Sequence, residues 1–190
     1  IIKTDDGEYI IATSPLTASA RLSQAACATL EVVGDVVNLD TPSCKVDALV
    51  ELAGEMGDQA FVAFASSKKL VNLCADKLRS LGYKVVLITG DQDTTERQYN
   101  IESFQAGRAQ ILLMTAAGSE GVTLTAASTL VFIQIPWSNI VYQQVQDRVH
   151  RIGSTGDKVS IIHLITQGTV EEKVMVALDS KDEHLTDLLG

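Results

Sequence analysis

The chain has 190 residues, 46% of them hydrophobic, enough for one domain with a sizeable core. Its formal net charge of −9 excludes a protein that holds nucleic acid by bulk positive charge, though not one with a local groove of clustered Arg and Lys. The three cysteines, Cys27, Cys44 and Cys74, form no C-x-x-C, so neither a zinc site nor a disulfide framework is implied and a reduced, cytoplasmic-type setting fits. No apolar run approaches the ~18 residues of a membrane span, and no charged segment followed by an apolar one opens the chain. The chain starts at Ile1 rather than Met, which reads as a piece of something longer or a processed chain.

Residues 1 to about 45 do not share the pattern of the rest. Tyr9-Ile10-Ile11 suits a short edge strand, Leu16 to Leu30 a helix, and Val32 to Leu39 one further strand. Gly, Asp, Pro and Ser concentrate around 35–45 and 54–58, the nearest thing to a linker. Ser43 is the candidate N-cap of a helix opening Cys44-Lys45-Val46. From about residue 59 the pattern becomes regular. Phe61 to Ala65 is an apolar run of strand length that ends at Ser66-Ser67, and Lys68 to Leu81 has helical periodicity closed by Gly82. Lys84 to Ile88 is a second strand, and Thr94 to Phe104 a helix with Thr94 as N-cap and Ile101 and Phe104 facing inward. Gln110 to Met114 and Thr129 to Ile135 are strands, 139–152 is a helix, Lys158 to Ile165 a fifth strand, and Thr169 to Leu178 opens a final helix. Apolar strands alternating with helices predict an α/β domain with a mostly parallel sheet covered on both faces. Ligands of such sheets bind beyond the C-terminal strand ends. Ser66-Ser67, Thr89-Gly90-Asp91 and Thr115 to Thr123 all follow strands directly and so share one rim.

One stretch concentrates chemistry: Gln144-Val145-Gln146-Asp147-Arg148-Val149-His150-Arg151-Ile152-Gly153. At about 100° per residue, Arg148 lies roughly 40° and Arg151 roughly −20° from Gln144, so all three share one helix face. Val141, Val145, Val149 and Ile152 supply apolar anchors. Two guanidinium forks side by side repel each other by a few tenths of a kcal/mol on a solvated helix but suit a polyphosphate. A surface arginine pair bonded to carboxylates of its own domain fits the same spacing. In the run Thr115 to Leu124, Gly118 and Gly121 permit close backbone approach, and the hydroxyls and amides there can bind phosphate oxygens; a plain strand-to-helix connection fits as well. The chain has no G-x-x-x-x-G-K-[ST], and no acidic run follows a strand, Asp182-Glu183 lying in the predicted last helix. These absences exclude a self-sufficient P-loop ATPase. His150, His163 and His184 are scattered, with His163 read as packed or hydrogen-bonded within a strand. Trp137 follows Pro136 at a strand end, where it either packs in the core or stacks against a nucleic acid.

Together these residues resemble the second RecA-like lobe of superfamily 2 helicases, specifically the Swi/Snf-type DNA translocases. Gln144 to Gly153 looks like motif VI, Thr115 to Ala127 like motif V, and Phe61 to Ser67 like motif IV. Gly90, Arg97 and Phe104 match the spaced G…R…F pattern, Pro136-Trp137-Ser138-Asn139 resembles the W-N-P region, Gly168 to Lys173 is similar to G-T-[IV]-E-E-K, and Ser43 to Leu49 resembles S-x-K-x-x-x-L. The match covers most of 43–178. Departures are Ser154 in place of the usual Gln, Ser119 in place of the second Gly of motif V, and Thr123 in place of Asn, as in a divergent member.

The resemblance implies a RecA-like three-layer domain at 43–190, preceded at 1–42 by a short helical or irregular extension. It implies ATP with Mg²⁺, bound mainly by a first lobe that carries the P-loop and the acidic pair. Arg148 and Arg151 would be arginine fingers and Gln144 would support the nucleotide site. Gly118 and Gly121 would let backbone approach nucleotide or DNA. Ser66, Ser67, Thr115 and Trp137 would contact DNA, expected to be double-stranded. The lobe alone would not hydrolyse ATP, and its acidic balance implies weak DNA binding in isolation. The resemblance implies no membrane association, and localisation in the cytoplasm for a bacterial or viral protein or in the nucleus for a eukaryotic one. A non-catalytic RecA-like binding module and a flavodoxin-like domain are the competing readings; the second leaves the ordered motifs unexplained.

Overall fold

The structure, a computed structural model, describes residues 2–3, 9–10, 14–33, 36–119, 121, 124–149 and 159–179. A two-residue pair of strands, β1 (Ile2–Lys3) and β2 (Tyr9–Ile10), is antiparallel. Helix α1 (Pro15–Ala25) starts at an Ser14 N-cap, whose hydroxyl accepts from Thr17 N–H, with Pro15 at the first helical position, where its missing N–H costs nothing. The helix ends five residues short of the expected Leu30. Thr29–Val33 is instead strand β3, paired antiparallel with β4 (Val36–Asp40). The expected single strand Val32–Leu39 is thus shared between two antiparallel strands, with residues 34 and 35 outside the described residues.

Helix α2 (Cys44–Met56) is capped by Ser43, which accepts from Val46 N–H at 3.2 Å. There follow β5 (Phe61–Phe64), α3 (Lys68–Ser80), β6 (Val85–Ile88), α4 (Thr94–Gln105), β7 (Ile111–Met114), the one-turn α5 (Ala116–Ser119), β8 (Thr129–Phe132), α6 (Asn139–Val149), β9 (Ser160–His163) and α7 (Val170–Asp179). The cap of α4 is Asp93, not Thr94: its carboxylate accepts from Glu96 N–H at 2.8 Å, and a carboxylate outdoes a hydroxyl at the positive end of a helix.

Strands β5 to β9 form one wholly parallel sheet in the order β6-β7-β5-β8-β9. Alternation along each strand divides the core in two. Phe61, Ala63, Leu113 and Val131 face α2 and α3, whereas Val62, Phe64, Leu112 and Phe132 face α4, α6 and α7. Helices therefore cover both faces, giving the expected three-layer α/β fold of RecA-like type. The sheet buries continuous apolar runs, as a parallel sheet with no wet face must.

The segment ahead of α2 is packed on this sandwich. Cys27 belongs to the α2/α3 core, and Leu39 packs against it. Lys69 on α3 donates to Val37 O at 2.5 Å and to Asn38 Oδ1 at 3.0 Å. Ser43 Oγ donates to Cys27 O at 2.6 Å, and Thr166 Oγ1 to Ala26 O at 2.7 Å. A buried ion pair lies at the same junction. Lys45 Nζ is 2.5 Å from Glu171 Oε2, with the two side chains only 2% and 3% exposed. Lys45 also donates to Leu164 O, Glu171 Oε2 accepts from Thr166 N–H at 3.0 Å, and Cys27 Sγ lies 3.8 Å from Glu171 Oε1.

Candidate nucleotide and nucleic-acid rim

Because all five strands run the same way, their C-terminal ends lie along one edge. Ser66-Ser67 follows β5, Thr89 to Asp91 follows β6, Thr115 follows β7, Gln134 to Trp137 follows β8 and Thr166 follows β9. The chain leaves β5 into α3 on one face of the sheet. It leaves both neighbours of β5 toward the other: Leu124 after β7 and α6 after β8 pack with the second core. Opposite departures from adjacent strands open a crevice at the strand ends, the usual binding place in such sheets. Ser66-Ser67 therefore sits at the switch point.

Helix α6 carries Gln144 and Arg148 and packs against α5, the turn that follows β7. Val145 and Val149 are buried in the second core and fix its rotation. Gln144, one turn ahead of Arg148, is exposed, and Arg148 is half-buried. The Arg148 Nε is buried and has no hydrogen-bond partner among the described residues. A buried guanidinium N–H without an acceptor is costly, and it suits an anionic acceptor that arrives from outside the domain. Leu124 N–H donates to Arg148 O at 2.9 Å, so the end of α6 is tied to the stretch that follows α5. Arg151 and His150, predicted on the same helix, lie outside the described residues.

The stretch after β7 differs from the expected loop by folding into the single turn of α5. Gly118 is buried, and a Cβ there would stand 2.2 Å from Ile88 O and 2.7 Å from Thr89 N. Its close approach is thus to the backbone at the end of β6. Gly121 is exposed with φ +70, the left-handed region that favours glycine, and no atom lies within reach of an added Cβ. Thr115 is buried, its N–H donating to Ile88 O at 3.1 Å.

Ser66 is exposed. Ser67 caps α3, its hydroxyl accepting from Leu70 N–H at 3.4 Å. Its own N–H donates to Gln134 Oε1 at 2.9 Å, and Gln134 Nε2 donates to Ser23 Oγ on α1 at 3.1 Å. Trp137 is half-buried against the second core beside the rim. Lys68 at the start of α3 pairs with Asp91 after β6. His163 is stacked 5.3 Å from Phe132 and shares a 2.9 Å hydrogen bond between its Nε2 and Tyr142 Oη, which is the packed and bonded role expected of it. Reading by motif overlooked Gln134. The signal was a lone amide inside the apolar run Val131 to Ile135.

A family model for the helicase conserved C-terminal domain matches residues 44–153. The chain belongs to the helicase conserved C-terminal domain family. Within this helicase family it is a Swi/Snf-type superfamily 2 C-terminal lobe. It is 35% identical over 140 residues to Protein CHROMATIN REMODELING 24 of Arabidopsis thaliana, covering 71% of this chain and 13% of that protein. It is 33% identical over 153 residues to the chromatin-remodeling ATPase INO80 of the same plant, covering 78% and 10%. The lobe spans about a tenth of the length of these relatives. Among solved structures it superposes on the C-terminal part of the Fun30 ATPase domain with TM-score 0.67 and 27% identity, covering 78% of this chain and 52% of that one. It superposes on the C-terminal domain of the DEAD-box protein Dbp5 with TM-score 0.60 and 26% identity, covering 72% and 77%. The RecA-like α/β fold is thereby established, as the order of motifs implied. Among the described residues no group of His, Cys, Asp and Glu could hold a metal, and no helix is long and apolar enough to cross a membrane.

Proposed function

We propose that this lobe is the second motor half of an ATP-dependent DNA translocase, completing an ATPase site whose phosphate-binding loop and Mg²⁺ ligands belong to a first RecA-like lobe. The observation that carries this reading is the buried Nε of Arg148 on α6, without an acceptor among the described residues, one turn on from exposed Gln144. ATP supplies the chemistry when bound, a phosphoryl group transferred to water. In this reading Arg148 and Arg151 reach across to the γ-phosphate oxygens and stabilise the charge that builds there. Gln144 supports the same site. Gly118 and Gly121 let the backbone approach nucleotide or DNA there. Ser66, Ser67, Thr115 and Trp137 form the nucleic-acid side of the rim, and Ser66, being exposed, is the best presented of them. The division of the chain into an extension at 1–42 and a lobe at 43–190 goes with this reading, with the extension docked on the lobe. In this reading the polymer is DNA in duplex form, which the naming of the relatives for chromatin remodeling supports. The plant relatives favour the nucleus over a bacterial or viral setting.

The test is Arg148→Ala in the two-lobe protein. Turnover at saturating ATP and DNA falls about 10³-fold or more, the range known for arginine fingers, while DNA affinity is retained. The lobe alone shows no ATP hydrolysis. Unchanged turnover in the variant would instead favour a non-catalytic binding module, and DNA-stimulated hydrolysis by the lobe alone would remove the two-lobe account.

A further inference from the structure

The crevice at the switch point is held by a side chain that none of the assigned roles uses. Gln134 lies just beyond the end of β8, 4% exposed, and its backbone continues the sheet: Ile133 N–H donates to Phe64 O at 2.8 Å. Its amide bridges two segments. Ser67 N–H can only donate, so the amide oxygen must face it, and the NH₂ is thereby turned to Ser23 Oγ. Ser23 is itself buried, 5% exposed, on α1. Both polar ends of a buried glutamine are therefore satisfied by two elements far apart in sequence, at separations of 67 and 111 residues. Such a side chain is rigid, because any other rotamer leaves buried polar groups unpaired. Three residues on from Gln134 is Trp137, and one residue back from Ser67 is Ser66.

We propose that Gln134 is a positioning residue for nucleic acid. It sets the Ser66-Ser67 turn and the Trp137 segment at a fixed spacing across the crevice, and Ser23 of α1 locks its amide. The segment ahead of the sheet is in this way part of the nucleic-acid apparatus and more than a tether to a preceding lobe. The inference rests on the proposed function for the identity of the polymer. Its chemistry is that of a phosphodiester backbone met by the exposed Ser66 hydroxyl on one side and by an indole on the other.

Gln134→Met tests this in the two-lobe protein, since it keeps length and volume and removes both hydrogen bonds. With a duplex of random sequence as the probe, the KM for DNA in the ATPase assay rises at least fivefold while kcat at saturating DNA stays within twofold. Ser23→Ala raises the same KM in the same direction, by less, because the Ser67 bond survives. Amide exchange of the peptide spanning 65–70, followed by mass spectrometry without DNA, quickens in Gln134→Met. A merely structural glutamine would lower the melting temperature and reduce active fraction, hence kcat, with KM unmoved; that result overturns the proposal. So does an unchanged exchange rate at 65–70. A wild-type protein whose ATPase ignores DNA would overturn the proposed function itself, and this inference with it, and is distinguished by needing no variant.

Discussion

Replacing Glu171 by Gln removes a charge from the most buried ion pair described in the lobe and leaves its shape in place. Lys45 and Glu171 are 2% and 3% exposed, so neither charge is relieved by water. In the variant the Lys45 ammonium keeps Leu164 O as a partner, but no compensating charge. Removing one partner of a buried pair costs about 3–5 kcal/mol, most of it the penalty of the stranded charge. For a chain of this size each kcal/mol lowers the melting temperature by about 2–4 °C, so the expected fall is roughly 6–20 °C. Lys45→Met costs a similar amount, because Glu171 then keeps only Thr166 N–H and the weak thiol donor of Cys27. The double variant Lys45→Met/Glu171→Gln recovers most of the loss, since nothing charged remains to be stranded. Urea unfolding followed by circular dichroism gives all three values and their coupling. A single substitution costing no more than an exposed pair, about 0.5 kcal/mol, would refute the reasoning, as would a double variant as unstable as the sum of the singles.

Other expectations follow from the same coordinates. Gly118→Ala drives a Cβ into the backbone of Ile88 and Thr89, with no flexible side-chain end to yield, and lowers stability by about 3 kcal/mol, the upper end of overpacking costs. Gly121→Ala meets no atom and loses only the left-handed conformational preference, about 1–2 kcal/mol; thermal melts of the two variants separate the mechanisms. Of the three thiols, exposed Cys44 alone reacts quickly with a disulfide reagent under native conditions at pH 8. Burial pushes the Cys74 thiol up to about 12, and burial with the adjacent Glu171 carboxylate does the same for Cys27. Both folded thiols hold their protons where the unfolded chain, at 9.0, gives them up, so stability falls as pH rises from about 9 toward 12. Melting temperatures across that range check the sign.

The sheet was legible because its strands bury both faces: Phe61 to Phe64, Ile111 to Met114 and Thr129 to Phe132 leave no polar position between their ends. The β3–β4 pair was not, because alternating Val and Leu around Gly34-Asp35 reads equally as one strand with a break. Asp93 was missed as a cap because Thr94 beside it is also a good one, and only the backbone decides which residue stands outside the helix. Gln144 and Arg148 were placed on one face by their spacing alone, which the apolar anchors Val145 and Val149 make rigid. Spacing could not reveal the Arg148 Nε buried without an acceptor among the described residues, which depends on what packs around it. Nor could it show Lys45 buried. A lysine in the first turn of a helix reads as solvated, and the carboxylate that makes its burial tolerable lies 126 residues away.

That separation carries a consequence for folding kinetics. Lys45 and Glu171 can meet only after β5 to β9 have been laid side by side, because the sheet and its helices lie between them in the chain. Contacts of such long range are costly to close early, and they belong to the descending side of the barrier. Weakening the pair therefore speeds unfolding and leaves the refolding rate nearly unchanged. The clasp between α2 and α7 governs how long the folded lobe persists, and the apolar strands govern how fast it forms.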